Sequence, residues 1–238
     1  MATNIFLTKF PLRDSLPSTD SASNEYLEST GDKTAFRECR DIVLDTAFDE
    51  NRRLIALDVI CKLPTAEALD FIRQVVRGDH YLGASWEGAD HLRAMLVMNA
   101  EKTIEVDRDD WISILHAIST DPKDSIFVVG RAVWVLAQWE AWPEAAECIQ
   151  FILQQTVPRY LRSTAAKHTL QSLRNPGEEL SDLMYHVLFA ASNTVFVSPT
   201  HARRFENDVV PLQDCGDDVI ERHARKVVRM FQERIEER

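Results

Sequence analysis

Apolar residues recur at helical spacing along most of this chain, and prolines separate one run from the next. Pro64 divides an apolar run that contains Leu57 from a second run that contains Ile72. Thr65 is placed to cap the second helix at its start, and Gly78 is placed to cap it at its end. The pattern predicts two antiparallel helices joined by a short turn.

The same succession of helix, proline turn and helix recurs around Pro143 and Pro176, and residues 91–120 contain a helical pair without a proline. When that pair is included, the repeat averages about 37 residues, within the range of about 33–47 residues that helical solenoids show. Residues 34–190 are therefore predicted to be all-α. Each pair has to pack on its neighbours because it cannot bury its apolar face by itself.

In these repeats the chain resembles the HEAT-like, armadillo-type family of helical repeats. The residues that carry the resemblance are Arg53, Ala56 and Pro64 in one unit, Arg131, Ala132 and Pro143 in a second, and Arg162, Ala165 and Pro176 in a third. The resemblance implies a right-handed α-solenoid of stacked antiparallel helix pairs. An irregular helical bundle is the alternative architecture for the same apolar pattern.

The two ends of the chain follow other patterns. Residues 1–33 are rich in Ser, Thr, Asp and Pro after a short apolar start, which predicts a flexible N-terminal arm. Apolar residues of the arm, such as Phe6, are expected to dock it on the body. Residues 34–238 are predicted to form one helical-repeat domain. Within it, 191–214 is predicted to be a long ordered loop with prolines and a short helix at His201–Phe205, and 215–238 is predicted to be an amphipathic capping helix.

The chain is acidic, with 38 acidic and 27 basic side chains and a formal net charge of −11. The excess is uneven, at −8 in residues 1–120 and −3 in residues 121–238. Because such a surface repels phosphate backbones, the charge argues against nucleic-acid binding and favours a basic protein partner. The sequence has no apolar run of about 20 residues and no CxxC pair, and no secretory leader is expected from its first residues. The expectation is a cytoplasmic protein with reduced thiols and no membrane contact.

Sequence motifs that would indicate an enzyme or a metal site are scarce. No glycine-rich nucleotide loop, GxSxG or HExxH motif occurs, so no catalytic residue or cofactor is assigned and a non-enzymatic role is favoured. Glu87 with His91, and Asp182 with His186, have the i,i+4 spacing at which two ligands on a helix can meet one ion. Metal sites usually need three or four ligands, so no metal is expected.

Two groups of side chains are predicted to bind a partner protein. Acidic residues gather in the first half of the chain, and tryptophans flanked by charge end one predicted helix. Large aromatic side chains in such a place act as interface anchors or pack between repeats. The predicted partner-binding residues are Glu87, Asp90, Asp107, Asp109, Asp110, Trp139 and Trp142.

These features together predict a non-enzymatic protein-interaction module that presents an acidic helical-repeat surface. Its narrower form is an inhibitor or immunity-type protein that covers a basic partner. Two alternatives stay open: an enzyme on a HEAT-like scaffold that acts on nucleic acid or a small molecule, and a structural subunit of a larger assembly. Fold does not decide among them, and the oligomeric state is likewise open.

Overall fold

The computed structural model of this chain describes residues 6, 19–82, 91–99, 108–121, 123–139, 141–167, 178–195 and 199–236. Within these residues all regular secondary structure is helical, which confirms the predicted all-α class. The α-helices are α1 (Thr19–Ser29), α2 (Asp32–Leu44), α3 (Glu50–Lys62), α4 (Ala66–Arg77), α5 (His91–Asn99), α6 (Arg108–Thr120), α7 (Ile126–Gln138), α8 (Trp142–Lys167), α9 (Glu178–Val195), α10 (Pro199–Val209) and α11 (Asp218–Glu236). A 3-10 helix, Val210–Asp214, joins α10 to α11. No helix in the described part of the chain combines the length and the apolar character needed to cross a membrane.

The chain divides into two compact units, Met1–Asp107 and Arg108–Arg238, whereas the sequence pattern predicted a single domain over residues 34–238. Helices α1 to α5 belong to the first unit, and α6 to α11 belong to the second. Apolar periodicity predicts which face of a helix is buried, but it does not indicate which other helix covers that face. The number of cores was therefore not evident from the pattern.

Helix α3 is the centre of the first unit, since it packs against α1, α2, α4 and α5. It is apolar on several sides, with Leu57 and Ile60 among its buried residues, as expected of a helix surrounded by others. The caps predicted for α4 are confirmed. Thr65 accepts a hydrogen bond from the N–H of Ala68 at 3.2 Å, and Gly78 adopts a left-handed φ of 82°.

Arg53 joins separate segments of the first unit through backbone carbonyls. Its side chain is buried, and its Nε donates to the carbonyl of Val43 at 3.0 Å while its Nη2 donates to the carbonyl of Leu82 at 2.7 Å. Val43 lies in the last turn of α2, where carbonyls have no partner within their own helix. Arg53 therefore caps the end of α2 and fixes the chain that follows α4.

Part of the predicted flexible arm is helical. Helix α1 packs against α3, and Ser23 and Tyr26 are buried. Ser23 Oγ donates a hydrogen bond to Asp58 at 2.5 Å and accepts one from Lys62 at 2.6 Å. Polar side chains make much of this contact, so α1 lacks the apolar period from which helices are predicted.

Phe6 docks on the first unit. Its side chain is fully buried, and its ring meets that of Tyr26 edge to face with 5.2 Å between centroids. The N–H of Phe6 and the hydroxyl of Tyr26 both donate to one carboxylate oxygen of Glu38, at 3.1 Å and 2.9 Å. Apolar burial and one hydrogen bond thus hold Phe6 in place, and the hydrogen bond from Tyr26 fixes the carboxylate that accepts it.

Helices of the second unit pack mainly on helices that are adjacent in the chain or separated by one helix. Helix α6 packs against α7 and α8, α7 against α8 and α9, α8 against α9 and α10, and α11 against α9 and α10. The most extensive contact joins α7 to α9. At Gly130 on α7, an added Cβ would lie 3.4 Å from Cδ1 of Leu183 and 3.5 Å from Cδ2 of His186. A methyl group at this position would therefore make ordinary van der Waals contact with α9.

Two predicted boundaries in the second unit differ from the structure. Pro143 lies in the first turn of α8, as expected, but α8 continues through Pro158 to Lys167 and so joins the predicted second unit to the start of the predicted third unit, which contains Arg162. The predicted long loop at 191–214 is replaced by the end of α9, by α10 and by the 3-10 helix, with 196–198 outside the described residues. Pro199 occupies the start of α10, where the missing N–H of proline removes no helical hydrogen bond.

Asp217 connects three helices of the second unit. Its Oδ2 accepts hydrogen bonds from the hydroxyls of Tyr160 on α8, at 2.8 Å, and Ser181 on α9, at 3.1 Å. Its Oδ1 accepts from the N–H groups of Val219 and Ile220 at the start of α11. Burial by itself would raise the pKa of Asp217, but these hydrogen bonds outweigh it and lower the pKa below its usual value.

Candidate functional site

A groove between α6 and α8 is the candidate site of the second unit. Its volume is about 410 Å³, within the size range of ligand pockets. The lining residues are Asp109, Ile112, Ser113 and His116 from α6 and Glu144 and Glu147 from α8. This set of six residues is called the acidic groove below.

Helical periodicity places the lining on one face of each helix. Asp109, Ser113 and His116 follow one another in α6 at spacings of four and three residues, while the other face of α6 buries Trp111 and Leu115. The two glutamates of α8 are three residues apart and lie on the groove side in the same way. The groove is thus formed where the polar faces of two packed helices meet.

Negative charge dominates the acidic groove. Its three carboxylates are accompanied by one histidine, His116, whose Nε2 lies 3.3 Å from Oε2 of Glu147. Within the described residues, Asp109 and Glu144 form no ion pair. Each lies in the first turn of its helix, where the helix dipole stabilises a carboxylate. Asp109 and Glu144 therefore have no counter-ion among the described residues, whereas Glu147 contacts His116.

Arg108 is engaged at the end of the groove rather than inside it. Its Nη2 donates to the carbonyl of Trp139 at the end of α7. Trp139 is partly exposed, and its Nε1 is buried with no hydrogen-bond partner among the described residues. The contact holds Trp139 at the same end of the unit as Asp109 and Asp110, which are exposed in the first turn of α6.

The structure brings together only part of the predicted partner-binding set. Asp109 lines the groove, and Asp110 follows it in the chain without lining the groove. The predicted acidic residues that lie outside the described part of the chain are Glu87, Asp90 and Asp107. The side chain of Trp142 also lies outside it, as do those of His91 and Asp182, which belong to the two i,i+4 pairs.

Five of the six groove residues were not predicted as site residues, and three of them, His116, Glu144 and Glu147, are titratable. Their spacing places each on a polar helical face, which is visible in the sequence. No local pattern, however, indicates that α6 packs against α8, so the meeting of these side chains with Asp109 could not be predicted.

The chemistry of the groove is that of a cation acceptor. Ser113, His116 and Glu147 are the residue types of a hydrolytic triad, but Ser113 makes no hydrogen bond to His116, the contact that activates a serine nucleophile. Burial raises the pKa of the adjacent Cys148 to about 12, so this side chain stays a thiol. Among the described residues, no three His, Cys, Asp or Glu side chains are arranged to hold a metal ion. The carboxylates remain available to accept hydrogen bonds from lysine or arginine.

Comparisons with models of known protein families, with curated proteins and with solved structures found no significant match to this chain.

Proposed function

We propose that this chain is a non-enzymatic protein-interaction module whose acidic groove binds a basic segment of a partner protein. One observation carries the proposal. Asp109 and Glu144 lie on the two walls of one groove, and neither carboxylate has an ion-pair partner among the described residues. A lysine or arginine side chain that enters the groove gains charge-assisted hydrogen bonds. Ile112 adds an apolar contact for the aliphatic stem of such a side chain.

A HEAT-like, right-handed solenoid architecture for the second unit is part of this proposal. The packing between helices that are one helix apart supports two layers, α6 with α8 and α10, and α7 with α9 and α11. Stacked helices of this kind present extended surfaces to partners. The acidic groove is then the seam between two neighbouring helices of one layer, along which a partner segment can lie.

The narrower form of the proposal is an inhibitor or immunity-type protein that covers a basic surface of its target. The net charge of −11 supports it, since complementary charge speeds association and orients the partners. A cytoplasmic setting goes with the proposal, because the four cysteines are free thiols and three of them are buried.

Fluorescence anisotropy with a labelled helical peptide tests the proposal. One peptide carries lysines along one face, and its counterpart carries glutamates at the same positions. The protein is expected to bind the basic peptide and not the acidic one. Glu144→Lys combined with Glu147→Lys should weaken binding by about tenfold or more, because hydrogen bonds to charged groups contribute roughly 1.5–3 kcal/mol each.

Two control variants accompany this experiment. Ser113→Ala removes a hydroxyl from the groove without changing its charge, so the affinity should stay nearly the same. Glu28→Lys with Asp41→Lys makes an equal change in net charge at exposed positions of the first unit. Equal binding of both peptides, or an equal loss of affinity in the first-unit control, is incompatible with recognition by the groove.

A further inference from the structure

The solvent-facing side of α11 carries a row of basic side chains. Arg222, Lys226 and Arg229 are exposed and follow one another at spacings of four and three residues, which places them on one face of the helix. None of the three forms an ion pair with a described residue, whereas the neighbouring Arg225 is held by carboxylates of its own chain. Arg222, Lys226 and Arg229 are called the basic stripe below.

Exposed apolar side chains lie next to the basic stripe. Val219 on α11 is 53% exposed, and Tyr185 and Phe189, one turn apart on α9, are each 38% exposed. His223 connects the two helices, since it lies one turn after Val219 and its ring centroid is 4.9 Å from that of Tyr185. Exposed aromatic and aliphatic groups beside unpaired charges are typical of a protein interface.

The basic stripe and the acidic groove carry opposite charges and have the same length. The stripe extends from Arg222 to Arg229, and the α6 wall of the groove extends over the same number of residues, from Asp109 to His116. At 1.5 Å per residue, each is about 10.5 Å long. Both surfaces belong to the second unit, so every copy of the chain carries one of each.

We propose that the basic stripe of one copy binds the acidic groove of a second copy of this chain. The inference rests on the proposed function, because it names a second copy as one source of the basic segment. The contact joins two different surfaces, so it is heterologous and continues from copy to copy or closes into a ring. The net charge of −11 opposes association at long range. At about 0.15 M salt, exposed charges more than about 8 Å apart are largely screened, while charges in contact still attract.

Sedimentation velocity at about 0.15 M salt tests the inference with two variants. The groove-neutral variant carries Asp109→Asn, Glu144→Gln and Glu147→Gln, and the stripe-neutral variant carries Arg222→Gln, Lys226→Gln and Arg229→Gln. The sedimentation coefficient of the wild type should rise with protein concentration. Each variant should have an association constant lower by about tenfold, as expected from the loss of three interfacial ion pairs.

Mixing the two variants separates a specific contact from a general effect of charge. The groove-neutral variant keeps its stripe and the stripe-neutral variant keeps its groove, so an equimolar mixture should form a dimer and nothing larger. A control with Arg37→Gln, Arg40→Gln and Arg203→Gln removes three exposed cations elsewhere and should associate like the wild type. Circular dichroism of every variant verifies that its helices are intact.

A wild type that stays monomeric at every concentration, or a mixture of variants that stays monomeric, overturns the inference. If the basic peptide still binds the groove in that case, the proposed function stands and only the self-association is wrong. If peptide binding fails as well, both are wrong. An acidic helical peptide that binds the stripe of a monomeric protein assigns this face to another partner and also overturns the inference.

Discussion

Asp217 accepts hydrogen bonds from three helices of the second unit. Its negative charge therefore stabilises the fold although the side chain is partly exposed. Asp217→Asn should lower the free energy of unfolding by about 1–3 kcal/mol at pH 7, because the amide nitrogen cannot accept the hydrogen bonds that the carboxylate accepts. Urea unfolding of the variant and of the wild type measures the difference.

The effect of Asp217→Asn on the free energy of unfolding depends on pH. The pKa of Asp217 is lowered in the folded protein, so its contribution is fully present above the unfolded pKa of about 3.9 and is lost as the pH falls through the folded value. The difference in stability between wild type and Asp217→Asn should therefore be constant near neutral pH and shrink below about pH 4. A difference that persists unchanged at pH values where the carboxyl is protonated contradicts the role given to its charge.

At the scale of single residues, contacts between residues close in sequence could be predicted, and contacts between residues far apart in sequence could not. Thr65 and Gly78 were predicted as caps because a cap acts on backbone groups within a few residues. The sequence indicated Arg53 only as a member of the repeat pattern, without a structural role. Its acceptors are the carbonyls of Val43 and Leu82, which lie 10 and 29 residues away, so no local rule indicates the contact.

Helix α10 is longer than the short helix that the sequence predicted at His201–Phe205. Phe205 is fully buried, and its ring lies 6.3 Å from that of Phe231 on α11. Phe205→Ala should lower the free energy of unfolding by about 3–5 kcal/mol, whereas Arg203→Ala at an exposed position of the same helix should change it by less than about 0.5 kcal/mol. Chemical denaturation measures both. A loss below about 1 kcal/mol for Phe205→Ala fits a solvated loop and not this packed helix.

Pro158 shows why a sound local rule gave an incorrect boundary. A proline inside a helix costs about 3 kcal/mol, which favours a break at that point. In the structure Pro158 is exposed, while Val157 and Tyr160 beside it are buried. Continuing the helix keeps both of these side chains in the core of the second unit, and the burial of apolar area offsets the cost of the proline.

At the scale of the whole molecule, the charge along the sequence did not indicate which carboxylates the packing of helices brings together. The excess of negative charge in residues 1–120 suggested a contact region in that part of the chain. The groove instead combines Asp109 from one side of that division with Glu144 and Glu147 from the other. An excess of charge along the chain does not indicate which charged side chains share a surface until the packing of the helices is known.

The central claim is that the acidic groove attracts a basic partner through its charge. Stopped-flow association of the basic peptide at about 0.01 M and about 0.1 M salt tests it most directly, since the screening length falls from about 30 Å to about 10 Å. The association rate constant of the wild type should fall by about tenfold or more. Glu144→Lys with Glu147→Lys should slow association at low salt and change dissociation much less. An association rate constant that responds neither to salt nor to the double substitution contradicts the claim.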